Sequence, residues 1–198
     1  MPKTTAINEF EYTEFFEEVL NQNAECAEAY LGKLLAVKMT NKKDLRKMRG
    51  LLKVSKKPIT HIAVPTTSGS GSETTVAAVV TDDLTHEKYP INDPKIVPNF
   101  VVFESSLTVS LPKHLTSTTG MDALTHAVEA YIGQSTTKET RKLALQATKL
   151  IFKNILVAYE DGTNQQARAN MLKAAYKAGI AFSKSYVGYI HAVAHSLG

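Results

Sequence analysis

The chain has 198 residues, 43% of them hydrophobic and 21% charged, with a formal net charge of +4 at pH 7. That is the composition of a soluble globular protein with one domain or two small ones; no apolar run approaches the roughly 18 residues of a membrane span, and Met1-Pro2-Lys3-Thr4-Thr5 leads into no signal-peptide core. The single cysteine, Cys26, excludes an internal disulfide framework and fits a reducing cytoplasm.

Residues 1–40 carry two helical stripes. One runs through Phe10, Phe15, Phe16, Val19 and Leu20; the other runs through Cys26, Ala27, Tyr30, Leu31, Leu34, Leu35 and Val37. Glu25 and Glu28 flank Cys26 with no His or Arg nearby, so it reads as a small core residue rather than an activated thiolate. Eight of the 23 basic residues fall between Lys42 and Lys57. No aromatic side chain lies in that run to stack on bases, so it reads as a solvated surface, and no nucleic-acid partner is expected. Leu45 and Met48 are candidate anchors of a short helix there.

His61-Ile62-Ala63-Val64 predicts a short buried strand, ended by Pro65 and a small polar turn. Gly69 and Gly71 in that turn let backbone N–H groups come close to a ligand, as a phosphate-facing turn requires. Val76 to Val80 continues as a strand, Asp82-Asp83-Leu84-Thr85 reads as a hairpin tip, and Val101-Val102-Phe103 as another buried strand.

From Leu111 the pattern becomes helix after helix. Pro112 suits a first helical turn, and a helix is expected to open after Gly120. Further stripes run through Leu143, Leu145, Ala147, Leu150 and Ile151, then through Ala167, Met171, Ala174 and Ala178. The boundary between an α/β part and an all-helical part falls near Ser106 to Leu111. A ligand cleft is expected between the two.

The chemistry gathers on two pairs of residues four apart. Asp122 and His126 are separated by about 400° of helix and roughly 6 Å of rise, so both leave one face. His191 and His195 form the second pair. One such pair serves equally as a salt bridge or a core hydrogen bond. Two pairs, set among Ala, Val and Leu, supply mixed oxygen and nitrogen ligands that suit Zn(II) or Fe(II) better than Mg(II) or Ca(II).

Three stretches carry a family likeness. Gly120-Met121-Asp122-Ala123-Leu124-Thr125-His126-Ala127-Val128-Glu129-Ala130-Tyr131 closely resembles the metal-ligand helix of the iron-containing (group III) alcohol dehydrogenases. Pro65-Thr66-Thr67-Ser68-Gly69-Ser70-Gly71-Ser72-Glu73 resembles that family's cofactor loop, and Gly188-Tyr189-Ile190-His191-Ala192-Val193-Ala194-His195-Ser196-Leu197-Gly198 its histidine helix. The resemblance implies a dehydroquinate synthase-like fold of class α/β plus all-α. Residues 1–108 would form a partial dinucleotide-binding α/β domain, and residues 109–198 a partial helical metal-binding domain.

It also implies a metal-dependent alcohol dehydrogenase that takes alcohols to aldehydes or ketones with NAD or NADP, using Fe(II) or Zn(II). Asp122, His126 and His191 match metal ligands, and His195 matches a histidine lining the substrate and nicotinamide site. Thr66, Thr67, Ser68, Gly69, Thr75 and Lys88 match cofactor contacts. Glu73 and Glu129 match family positions read as structural, Glu129 being turned about 60° from His126 round the helix. His114 reads as exposed.

Two departures accompany the likeness. The family's Gly-Gly-Gly-Ser turn has no counterpart in Val19-Leu20-Asn21-Gln22-Asn23-Ala24, and the fourth ligand histidine would lie past Gly198. The expectation is a truncated member, inactive or nearly so alone and active only if a partner chain or a longer product supplies what is missing, with a homo-oligomer or a complementing chain as the expected assembly; the alternative is a non-catalytic remnant that at best binds metal weakly. A small alcohol or aldehyde is the expected partner, with no membrane association.

Overall fold

The protein is described by a computed structural model covering residues 45–56, 58–81 and 88–197. The stripes of residues 1–40, Cys26, the turn at 19–24 and the hairpin tip at 82–85 lie outside those residues. The described part divides as the hydrophobic pattern implies: short strands come first, and from Lys113 onward every element is a helix.

The strands make two small sheets. β1 (Gly50–Leu51) pairs in parallel with β4 (Lys88–Asn92), which pairs antiparallel with β3 (Ala77–Thr81), giving the order β1-β4-β3. β2 (Ile62–Ala63) and β5 (Phe100–Val101) form a separate parallel pair. Met48, Val54, Ala78, Tyr89, Ile91 and Ile96 make the core of this half, with Leu45 and Val80 packed on it. Leu45 and Met48 do anchor a short 3-10 helix, Leu45–Met48. The strand at 62–63 is not buried as its apolar run predicts: Ile62 and Val64 face outward, 56% and 44% exposed. Alternation puts both on one side of the strand, and no described element covers that side.

The helical half is built from α1 (Lys113–Ile132), α2 (Lys138–Glu160), α3 (Gln165–Ser185) and α4 (Tyr189–Leu197). Alanines at helical spacing let the first three approach closely. Ala127, Ala147 and Ala178 form one layer, and Ala130, Ala144 and Ala181 the next. The order of these layers makes α2 antiparallel to α1 and α3, as their short connections require. Ala123, Ile151, Ala158, Ala167, Met171, Ala174 and Ala175 fill the other end. Thr137 caps α2 through a reciprocal box with Thr140, and Asn164 caps α3 by accepting from the Ala167 N–H at 3.0 Å.

Two expectations need correction here. The helix that carries Asp122 does not open after Gly120 but at Lys113, with Pro112 as its N-cap. Gly120 lies mid-helix, where glycine costs about 1 kcal/mol relative to alanine. A Cβ there would meet Ile155 Cδ1 at 2.8 Å, so the glycine lets α2 lie close. Leu145, counted in the apolar stripe of α2, is 46% exposed because α1 and α3 are met through Ala144 and Ala147 instead.

The halves meet at residues 65–75, which run from β2 across α1 and α3. Gly71 adopts φ +57, and a Cβ on it would stand 2.8 Å from Gly179 Cα. On Gly69 a Cβ would stand 2.7 Å from Thr119 Cβ. Loop-on-helix packing therefore requires glycine at these positions, whatever use the turn has for a ligand. No described helix is long and apolar enough to cross a membrane.

Candidate metal centre

Asp122 and His126 leave α1 on one face, and α4 brings His191 to meet them. One ligand atom from each of the three lies within 4.8 Å of the other two. His191 Nε2 is 3.3 Å from Asp122 Oδ1, and His126 Nδ1 is 3.8 Å from the same oxygen. The His126 ring is held flat between two others, its centroid 4.1 Å from Phe182 and 4.2 Å from His191. Both histidines are buried, whereas Asp122 is partly open.

One atom in this cluster is out of place unless something is meant to meet it. His126 Nδ1 is fully buried and has no hydrogen-bond partner. A buried polar atom left bare costs about 1–3 kcal/mol, so proteins rarely leave one without a use. With a His191 nitrogen and an Asp122 carboxylate oxygen it makes the mixed nitrogen and oxygen donor set of a Zn(II) or Fe(II) site. The residues fit a divalent metal.

The charges support that fit. Burial is the main cause that drives the His126 pKa down, to about 4, against the pull of the Asp122 charge; His191 adds to the fall, and the Gly69 backbone and Glu129 oppose it. The ring is thus neutral and its lone pair free of protons at ordinary pH. His191 is raised instead, chiefly by its hydrogen bond to Asp122 and also by Glu129, against the effect of burial. The signs for stability are opposite. Between pH 6.5 and about 4 the unfolded chain takes up a proton at His126 that the folded chain refuses, so this residue makes stability fall with acid. His191 binds its proton more tightly when folded, so its contribution is lost as pH rises through its raised pKa. In the metal-free protein, ring ¹⁵N shifts of His126 are expected to stay constant from pH 8 to about 5 while His191 titrates above 6.5; a His126 midpoint near 6.5 would contradict the burial seen here.

Glu129 is the residue whose part the sequence reading understated. It is outside the three-atom cluster, yet buried, and its carboxylate accepts from the Gly188 N–H at 2.8 Å and the Ile190 N–H at 2.7 Å. His191 Nδ1 lies 2.6 Å from its Oε2. Burial alone would raise its pKa, but the bonds from Gly188, His191 and Ile190 outweigh that and hold it below the ordinary carboxylate range. Phe182 was missed as a wall of the site, although its place one turn after Ala178 on the α3 stripe could have flagged it.

The other candidates are placed unevenly. Ser68 and Gly69 are buried against α1, with the Gly69 backbone bonded to His126, and Thr66 and Thr67 precede them at intermediate exposure. The Thr75 hydroxyl is directed at backbone carbonyls, Ala77 O at 3.0 Å and Ser72 O at 3.2 Å, so it holds the turn. Lys88 is exposed and opposite Thr81, four residue pairs along the β3–β4 hairpin from Ala77, the end nearer Thr75. His195 lies on α4, one turn beyond His191, with its side chain outside the described atoms. Glu73 is buried in the 3-10 turn Ser72–Thr74, and His114 is exposed.

Known proteins resemble the chain over most of its length. Residues 30–105 match the family model "Iron-containing alcohol dehydrogenase", and residues 116–198 match "Fe-containing alcohol dehydrogenase family, C-terminal". The NAD-dependent methanol dehydrogenase of Bacillus methanolicus is 41% identical over 150 residues, 76% of this chain and 39% of that protein. The 1,3-propanediol dehydrogenase of Klebsiella pneumoniae is 40% identical over 167 residues, 84% of this chain and 43% of that one. Among solved structures, an alcohol dehydrogenase from Oenococcus oeni superposes with a TM-score of 0.83 at 38% identity, covering 87% of this chain and 45% of the other. The chain spans less than half the length of these relatives.

Proposed function

Because the chain belongs to the iron-containing alcohol dehydrogenase family, we propose that Asp122, His126 and His191 hold the divalent metal of an enzyme that interconverts a small alcohol and its aldehyde or ketone with NAD(H) or NADP(H). The observation that carries this reading is the bare, buried Nδ1 of His126 beside the Asp122 carboxylate. A bound Fe(II) or Zn(II) supplies Lewis acidity to the alcohol or carbonyl oxygen, lowering the cost of alkoxide-like charge.

The residues divide the remaining work. Asp122 contributes the negative charge, and its partial exposure leaves an approach for substrate. His126 is kept neutral by burial, so no proton competes for its ring at pH 7. Phe182 lies flat on that ring and keeps water off one side. Residues 66–69 pass beside His126, which favours them as the part of the nicotinamide site nearest the metal. His195, one turn past His191, is assigned to the substrate side, where it takes or returns the alcohol proton.

Of the cofactor contacts that the family likeness implies, residues 66–69 lead to the Gly69 contact with His126, whereas the Thr75 hydroxyl is engaged by backbone carbonyls and Lys88 pairs with Thr81 at the other end of its strand. Turnover by this chain alone is therefore expected below roughly 1 s⁻¹, the lower end of the ordinary enzyme range. The test follows absorbance of reduced nicotinamide with Fe(II)- or Zn(II)-loaded protein and a panel of short alcohols and aldehydes. Slow turnover, abolished by chelation and by His126→Ala, is the expected result. Turnover that survives chelation would overturn the role of the metal. Tight metal binding with no nicotinamide chemistry on any substrate would instead identify a non-catalytic metal-binding chain.

A further inference from the structure

The geometry points to Glu129 as the positioning residue of this centre: it fixes the His191 ring and the proton on it, so that Nε2 is the nitrogen offered to the metal. This rests on the metal reading above.

Glu129 follows His126 by three residues and Asp122 by seven, so its side chain leaves α1 about 60° round from His126 and roughly 10 Å along the axis from Asp122. It reaches the start of α4 instead. A carboxylate buried to 4% exposure requires partners, and three donors converge on it. Gly188 and Ile190 give backbone N–H groups at the opening of α4, where helix amides otherwise lack acceptors. The third is His191 Nδ1, at 2.6 Å.

An ionised carboxylate only accepts, so Nδ1 must carry hydrogen. The neutral His191 ring then has its lone pair on Nε2, and Nε2 is the atom that faces Asp122 Oδ1 at 3.3 Å. Glu129 does not itself share the cation, because it binds the opposite nitrogen of the same ring. This is the carboxylate–histidine–metal arrangement, in which the outer carboxylate sets tautomer and orientation. The backbone around it is shaped for the same contact. Tyr186 adopts φ +66 in the turn before α4, an uncommon conformation for a large side chain, and the two backbone bonds to Glu129 follow directly after it. A Cβ on Gly188 would stand 3.0 Å from Glu129 Cδ and Oε1, so glycine leaves the carboxylate its place.

The test is Glu129→Gln, which keeps size but turns an acceptor into a donor. An amide NH₂ facing the ring favours a bare Nδ1 and a proton on Nε2, the nitrogen the metal needs free. Calorimetric affinity for Zn(II) is expected to fall by about 10–100-fold, with the far-UV circular dichroism unchanged. Without metal, in alkaline solution where the ring is neutral, ¹⁵N spectra are expected to show the His191 proton on Nδ1 in the native chain and on Nε2 in the variant. Should the native chain bind no Zn(II) yet show that proton shift, the metal reading fails and the positioning role stands. Affinity within about twofold of native, a change too small for an outer-shell partner, overturns the role, as does a native ring protonated at Nε2 alone. If Glu129→Gln does not fold, Glu129→Asp replaces it: one methylene shorter, it keeps the charge but draws the carboxylate back from His191 Nδ1, now 2.6 Å away, and the same fall in Zn(II) affinity is expected, with unchanged affinity again the overturning result.

Discussion

Asp122→Ala is expected to reduce the affinity of the chain for Zn(II) or Fe(II) by more than about a hundredfold, because a direct ligand should cost more than the 10–100-fold of an outer-shell partner. The carboxylate is the only one of the three candidate ligands with a charge. Removing it leaves two neutral imidazoles, one of them with its Nε2 3.3 Å from the lost oxygen. Folding should be nearly untouched, since the Asp122 side chain is 40% exposed. Calorimetry and circular dichroism on the two proteins check this together. Equal affinity in a folded Asp122→Ala protein would show that the metal binds elsewhere.

Gly71→Ala is expected to destabilise the protein by about 2–5 kcal/mol, from two penalties of the same sign. An alanine at φ +57 costs about 1–2 kcal/mol. Its Cβ would also stand 2.8 Å from Gly179 Cα, which is backbone and cannot rotate away, and overpacking of this kind costs about 1–3 kcal/mol. At about 2–4 °C per kcal/mol for a chain of this size, Tm should fall by roughly 4–20 °C. Gly179→Ala makes the complementary clash, with Thr74 Oγ1 at 2.5 Å and Gly71 Cα at 3.2 Å, but it regains about 1 kcal/mol of helix propensity. It should therefore be the milder of the two. The reverse order in thermal melts, or a change of less than about 2 °C in either, would contradict this account of how the loop sits on the helices.

How far such features were visible in the sequence depends on how local their cause is. The spacing of Asp122 and His126, the α3 stripe of Ala167, Met171, Ala174 and Ala178, and the passage from strands to helices all follow from periodicity within a few residues. The structure places each as the pattern implies. What was misread had its cause far along the chain. Gly120 looks like a helix start until Ile155 is found against it, and the packing of Gly69 on Thr119 shows only once the loop is laid on α1. Glu129 has three partners 59 to 62 residues away, none of which its own helix hints at. Strands of two residues, such as Gly50–Leu51, are too short to show any alternation at all.

X-ray absorption at the zinc edge, on the chain loaded with one equivalent of Zn(II), tests the central claim most directly. The account predicts a shell of nitrogen and oxygen neighbours at about 2.0–2.2 Å, with the outer scattering of two imidazole rings. That imidazole signal should diminish in His126→Ala. A sulfur neighbour at about 2.3 Å, which only Cys26 or a methionine could supply, or a shell with no imidazole signal, would contradict it.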